Sequence, residues 1–254
     1  MINNFVTDPL KKSDNIIDLN TLNASNLVSK ANNLRSLGKY KDSIHYYLES
    51  MMLNRNNIDT YIGLALSYKF LNEYDKAIKN LNKALELNPN SAKAYYEIGI
   101  CHILKYEPNE AIQAFRKSIM IDGKNSEVQL QLALAHEIID EPEMAMLIYD
   151  KIIEQNPSYL KAYSHKAALL LSQGKYEEAY SIFFNILKKN PEFYRAYLGL
   201  GVCFDKMNKT SDAKRYYNKF LAMHPNSKHA DYVKKRLSVL SENRTSIPKY
   251  LELV

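Results

Sequence analysis

Between residues 24 and 227 one arrangement of large, small and polar positions recurs every 34 residues. Repeats begin at Ala24, Ile58, Ala92, Ser126, Leu160 and Tyr194, six in a row without insertion or deletion. The eighth place holds Ala31, Ala65, Gly99, Ala133, Ala167 and Gly201, and the twentieth holds Ser43, Ala77, Ala111, Ala145, Ala179 and Ala213. Small residues there let two antiparallel helices approach closely. Large residues such as Tyr61, Leu81, Tyr95, Phe115, Tyr149 and Phe183 fill the space around that contact. The pattern therefore predicts two helices per repeat.

Helix ends follow the same register. Pro89, Pro157, Pro191 and Pro225 each close a helical run, and Gly123 takes that place once. Gly38, Asn72, Gly174 and Asn208 suit the left-handed residue that ends the first helix. Pro108 and Pro142 stand at the start of a second helix, where a missing N–H leaves no bond unmade. Past the last repeat, Ala230, Val233, Leu237 and Leu240 are spaced as one helix face, with Lys234, Lys235 and Arg236 opposite. Residues 228–241 are expected to form a capping helix whose basic face is solvated. Residues 1–23 and 242–254 are expected to be weakly ordered tails.

These features resemble the tetratricopeptide repeat (TPR) family. The match lies in a large–x3–small opening (Tyr95 and Gly99, for instance), a Tyr before the second helix, an Ala within it and Asn-Pro at the end. The resemblance implies an all-α fold: a right-handed α-α superhelical solenoid of TPR helix pairs with a C-terminal capping helix. Its repeats would be 24–57, 58–91, 92–125, 126–159, 160–193 and 194–227. Gln129 replaces an aromatic, Lys166 stands where other repeats have Leu64, Ile98, Leu132 and Leu200, and Trp is absent. The first repeat, with Lys30, Ser43 and Arg55, is degenerate in the way a terminal repeat must be.

Composition narrows the function. With 46% hydrophobic and 24% charged residues the chain is outside the disordered regime. Half of the net charge of +6 sits in residues 228–254, where six Lys and Arg face three acids, and the rest is thinly spread. Outside that segment no basic stripe stands on one element, so nucleic acid is not expected. Cys101 and Cys203 are far apart and read as buried free thiols of a reducing compartment. The first 22 residues have no apolar signal core, and no run of about 18 apolar residues occurs. A cytoplasmic protein with no membrane insertion is expected.

No phosphate-binding glycine loop, HExxH, GxSxG or zinc-spaced Cys/His cluster is present. His102 and His136 share the eleventh place of adjacent repeats, where Tyr68 stands in another, and read as core rather than ligands. Neither an enzyme nor a cofactor is expected.

The resemblance implies that first helices line a concave groove through the fifth, ninth and thirteenth places. Those places hold Ile62, Leu66 and Phe70, then Tyr96, Ile100 and Leu104, then Leu130, Leu134 and Ile138. Further along, Lys161, His165, Arg195 and Lys206 are expected to cluster, either as solvated charge or as a receiver for an acidic flank of the ligand. The family's carboxylate clamp is not rebuilt: its places hold Val28 and Asn32, Gly63, then Lys93 and Glu97. The expected function is a scaffold or adaptor that binds a protein or peptide with an apolar or amphipathic segment. The alternative is a self-assembly module whose groove or C-terminal tail, Ile247 to Val254, makes a homo-oligomer.

Overall fold

The computed structural model describes residues 19–242, so the C-terminal tail and most of the N-terminal one lie outside the described residues. Among the described residues there are thirteen α-helices and no strand. First helices are α1 (Leu19–Ser36), α3 (Ile58–Phe70), α5 (Ala92–Leu104), α7 (Ser126–Ile138), α9 (Leu160–Ser172) and α11 (Tyr194–Lys206). Second helices are α2 (Tyr40–Leu53), α4 (Tyr74–Leu87), α6 (Pro108–Ile121), α8 (Pro142–Gln155), α10 (Tyr176–Lys189) and α12 (Thr210–Met223), with α13 (Ala230–Glu242) last. From α3 to α11 the first helices start 34 residues apart, and from α2 to α12 so do the second. The architecture is all-α, a tandem of helix pairs.

Local chemistry sets these boundaries. Asn57, Ser91 and Asn125 accept hydrogen bonds from the first free N–H groups of α3, α5 and α7, satisfying donors the helix cannot. The turn between paired helices has positive φ at Gly38, Asn72, Tyr106, Asp140, Gly174 and Asn208, the fifteenth place every time. Four of these match the expected left-handed residues. Tyr106 and Asp140 adopt the same conformation without the expected residue type.

The chain divides into two compact bodies, one ending at Ile139 and the other beginning at Asp140. In the first, α1 to α7 pack in sequence, and α3 also touches α1 and α5. Tyr47, Leu81 and Phe115, at the twenty-fourth place, are wholly buried large side chains. Phe115 fits only because residue 99 is glycine: a Cβ there would overlap the ring. The α2–α3 seam is polar, whereas the α4–α5 seam packs Ala77, Leu81, Ala94 and Ile98. Ser43 and Ser67 hydroxyls meet at 2.8 Å, and Ser50 bonds Thr60 and the Ala24 carbonyl. The degenerate Ser43 is thus satisfied rather than orphaned. Gln129, in place of an aromatic, donates to the Gly123 carbonyl at 2.8 Å.

The second body repeats the scheme with Tyr149, Phe183 and Tyr217. Lys166 takes Asp150 as its partner. Helix α13 buries Val233 and Leu240 beside Phe204, Tyr217 and Phe220. Its expected solvated face needs correction at one residue. Arg236 donates to both carboxylate oxygens of Asp205 on α11, at 2.6 and 2.8 Å, because its guanidinium reaches back over the pair.

Candidate functional site

On the first body the three expected triads divide by depth. Phe70, Leu104 and Ile138, the last residues of α3, α5 and α7, are 52%, 43% and 59% exposed. Leu66, Tyr96, Ile100 and Leu134 are half-buried. Ile62 and Leu130 are only 6% and 2% exposed, so they do not offer the surface expected of groove residues. Ile62 packs among Ala77, Leu81, Ala94 and Ile98 of the neighbouring helices. Ile62 thus lies at the seam where α3 meets the next pair.

The remaining side chains are held from behind. One face of Phe70 stacks on Tyr40 at 4.8 Å between centroids. Lys69, beside it, bonds the buried Glu97 of α5 at 2.6 Å and ties α3 to α5 under the apolar row. Tyr96 borders a recess of about 430 Å³, shared with Lys93, Ser118, Asn125 and Val128. Burial is the main reason its hydroxyl is pushed above the ordinary tyrosine range.

Two features escape the register. Tyr106, two residues past Leu104, is 93% exposed and left-handed. Its signal is a large aromatic in a place that elsewhere holds Gly, Asn or Asp. Leu53, Leu87 and Ile121 close α2, α4 and α6 as a second exposed apolar row, with Met52 and Met120 beside it.

On the second body the four expected cations do not form one cluster. Lys161 lies 5.8 Å from the Tyr159 ring, and His165 stacks near Tyr149. Arg195 and Lys206 stand near opposite ends of α11, on the order of 16 Å apart at 1.5 Å per residue. Arg195 instead lines a cleft with Lys228 and His229.

Among the described residues no group of three or more His, Cys, Asp and Glu side chains is placed to hold a metal ion. His102 meets Glu107 through Nδ1 at 2.7 Å, and Lys105 bridges Glu107 to Asp75. That network joins α4, α5 and α6 and holds the Glu107 carboxyl below its usual range, chiefly through His102. Cys101 and Cys203 are buried free thiols. Among the described residues no helix is long and apolar enough to cross a membrane.

A tandem of helix pairs places the chain in the helical-repeat class. Profiles described as tetratricopeptide repeat match residues 58–91, 170–237, and 80–113 together with 148–180. The chain belongs to the tetratricopeptide repeat family, whose members are typically non-catalytic protein-interaction modules, and it is a protein-interaction scaffold. Comparison with curated proteins finds no match.

Solved structures share the fold. The pilF protein of Pseudomonas aeruginosa is 15% identical, with a TM-score of 0.69 over 85% of this chain and 99% of its own. PilW, described as a type IV pilus biogenesis factor, is 17% identical, with a TM-score of 0.70 over 83% and 97%. YrrB, described as a TPR protein with an unusual peptide-binding site, is 24% identical, with a TM-score of 0.54 over 74% and 97%.

Proposed function

We propose that the protein is an adaptor that holds an apolar or amphipathic peptide along α3, α5 and α7. The observation that carries this reading is the row Phe70, Leu104 and Ile138, exposed at the same place of three successive first helices. An exposed apolar row of fixed spacing on three successive first helices offers one ligand several contacts at once. Half-buried Leu66, Tyr96, Ile100 and Leu134 lie further back along the same helices. Peptide binding by YrrB is consistent with the same use of the fold.

Energetics favour a ligand that engages several helices. Covering what remains exposed on one such side chain supplies about 1 kcal/mol, less than the cost of ordering a peptide segment. Only a ligand spanning the whole row gains enough, and an amphipathic helix or extended apolar strand has that reach. The test is affinity capture with the full chain against its Leu104→Asp/Ile138→Asp variant. Both residues are exposed, so the far-UV circular dichroism should not change. Loss of capture supports the reading, and equal capture overturns it.

A further inference from the structure

We infer that the cleft where α11, α12 and α13 meet is an anion-recognition site for the carboxylates of an acidic peptide segment. The cleft measures about 470 Å³ and lies wholly within the second body. Tyr194 and Arg195 open α11 on one side, Met223 and His224 end α12 on another, and residues 225–229 lead into α13.

Its lining carries two permanent cations, Arg195 and Lys228, and two imidazoles, His224 and His229, with no Asp or Glu among them. The basic residues recur in register. Lys161, Arg195 and His229 stand 34 residues apart, so the second place stays basic across three successive helix starts. Of the two acids next to the cleft in sequence, Glu192 is exposed and Asp231 lies 3.9 Å from Lys234.

The His229 imidazole is held below its usual range, first by burial and then by Lys228 and Arg195. Among the described residues that line the cleft, no carboxylate balances the two cations beside this imidazole. An anion would restore that balance. Guanidinium can offer two parallel N–H groups to one carboxylate, and the lysine ammonium adds a mobile donor.

The remaining walls select a peptide over a free ion. Tyr194 rests against His224 at 3.9 Å between centroids, and Met223 and Pro225 add apolar surface. The volume falls within the range that takes several residues' worth of ligand atoms rather than a single ion. An acidic side chain on a segment with apolar neighbours fits both the charge and the walls. Arg195 also belongs to the cation set expected from the register, but the site needs none of the apolar residues of the first body.

The test uses the full chain and a tetraglutamate peptide blocked at both ends, with the blocked tetraglutamine peptide as the uncharged control, followed by calorimetry and proton NMR. The site predicts binding of the glutamate peptide that weakens as salt screens the charges. The His229 ring resonance should shift, and its titration midpoint should rise on binding. Arg195→Gln with Lys228→Gln should weaken binding by about tenfold or more, as loss of charge-assisted bonds does. Circular dichroism of that variant should be unchanged, and Leu104→Asp/Ile138→Asp should bind the probe like wild type even if the groove reading fails. The inference is overturned if the glutamine peptide binds equally well, if the double variant keeps wild-type affinity, or if His229 does not respond. An equal response to inorganic phosphate would overturn the peptide assignment.

Discussion

Arg236 on α13 grips Asp205 on α11 through both carboxylate oxygens, and Tyr217 on α12 donates its hydroxyl to the same carboxylate at 3.1 Å. Three helices thus converge on one nearly buried charge. Removing the guanidinium leaves that charge with a single neutral donor. Arg236→Met is expected to lower stability by about 1–2 kcal/mol, the lower part of the range because Arg236 is partly solvated. Amides of α13 should lose hydrogen-exchange protection before those of α9 and α10. Uniform loss across the second body would instead mean that α13 is not separately docked.

Tyr106 makes the opposite case. A bulky residue with φ of 62° and almost no contact carries a conformational cost that Asn72 and Asn208 do not at the same register place. Tyr106→Asn should raise stability by about 0.5–1 kcal/mol in urea unfolding. A variant that unfolds more easily would show that the tyrosine ring contributes packing this geometry does not contain.

Gly99 tests the helix-pair contact. Alanine is the better helix former by about 1 kcal/mol. Yet its Cβ would lie well inside van der Waals contact with a Phe115 ring that is fully buried and has no room to retreat. Overpacking wins, so Gly99→Ala should destabilise by about 1–2 kcal/mol net. Gly123→Ala serves as the control, since its Cβ would meet only a carbonyl at 3.5 Å. Equal stability of the two variants would mean that the Phe115 ring can move aside.

The buried thiols set a pH limit. Burial pushes Cys101 up to about 11 and Cys203 to about 12 from the ordinary 9.0. Because the folded values lie above the unfolded one, the stability tied to a neutral thiol is complete below pH 9.0 and falls as pH rises toward 11. Native protein at pH 8 should therefore react with a thiol reagent on the order of a hundredfold more slowly than unfolded protein. Fast labelling of either cysteine in the folded chain would contradict the packing around it.

Fold and site are not equally legible in the sequence. Small residues at two fixed places and stop signals at a third constrain helix pairing so tightly that few other arrangements remain, as Ala77, Gly99 and Ala111 illustrate. Depth within a groove is a different matter. Ile62 and Phe70 share a helix face by spacing, but the next pair covers one and leaves the other open. Charge shows the same limit. Arg195 and Lys206 suggest one cluster because both sit on α11, whereas helix length separates them. Arg236 suggests a solvated residue because its partner, Asp205, is 31 residues away. Tyr106 escapes notice because residue type alone does not mark it as left-handed, and only its register place does.

The groove itself is tested most directly by the amount of partner the full chain recovers, compared across three forms in one affinity-capture experiment. Leu104→Asp/Ile138→Asp alters the proposed groove, and Met52→Asp/Met120→Asp alters exposed apolar surface on α2 and α6. The account predicts that wild type and the methionine variant recover the same proteins, and that the groove variant recovers none of them. Equal recovery by all three, with unchanged circular dichroism, would contradict it.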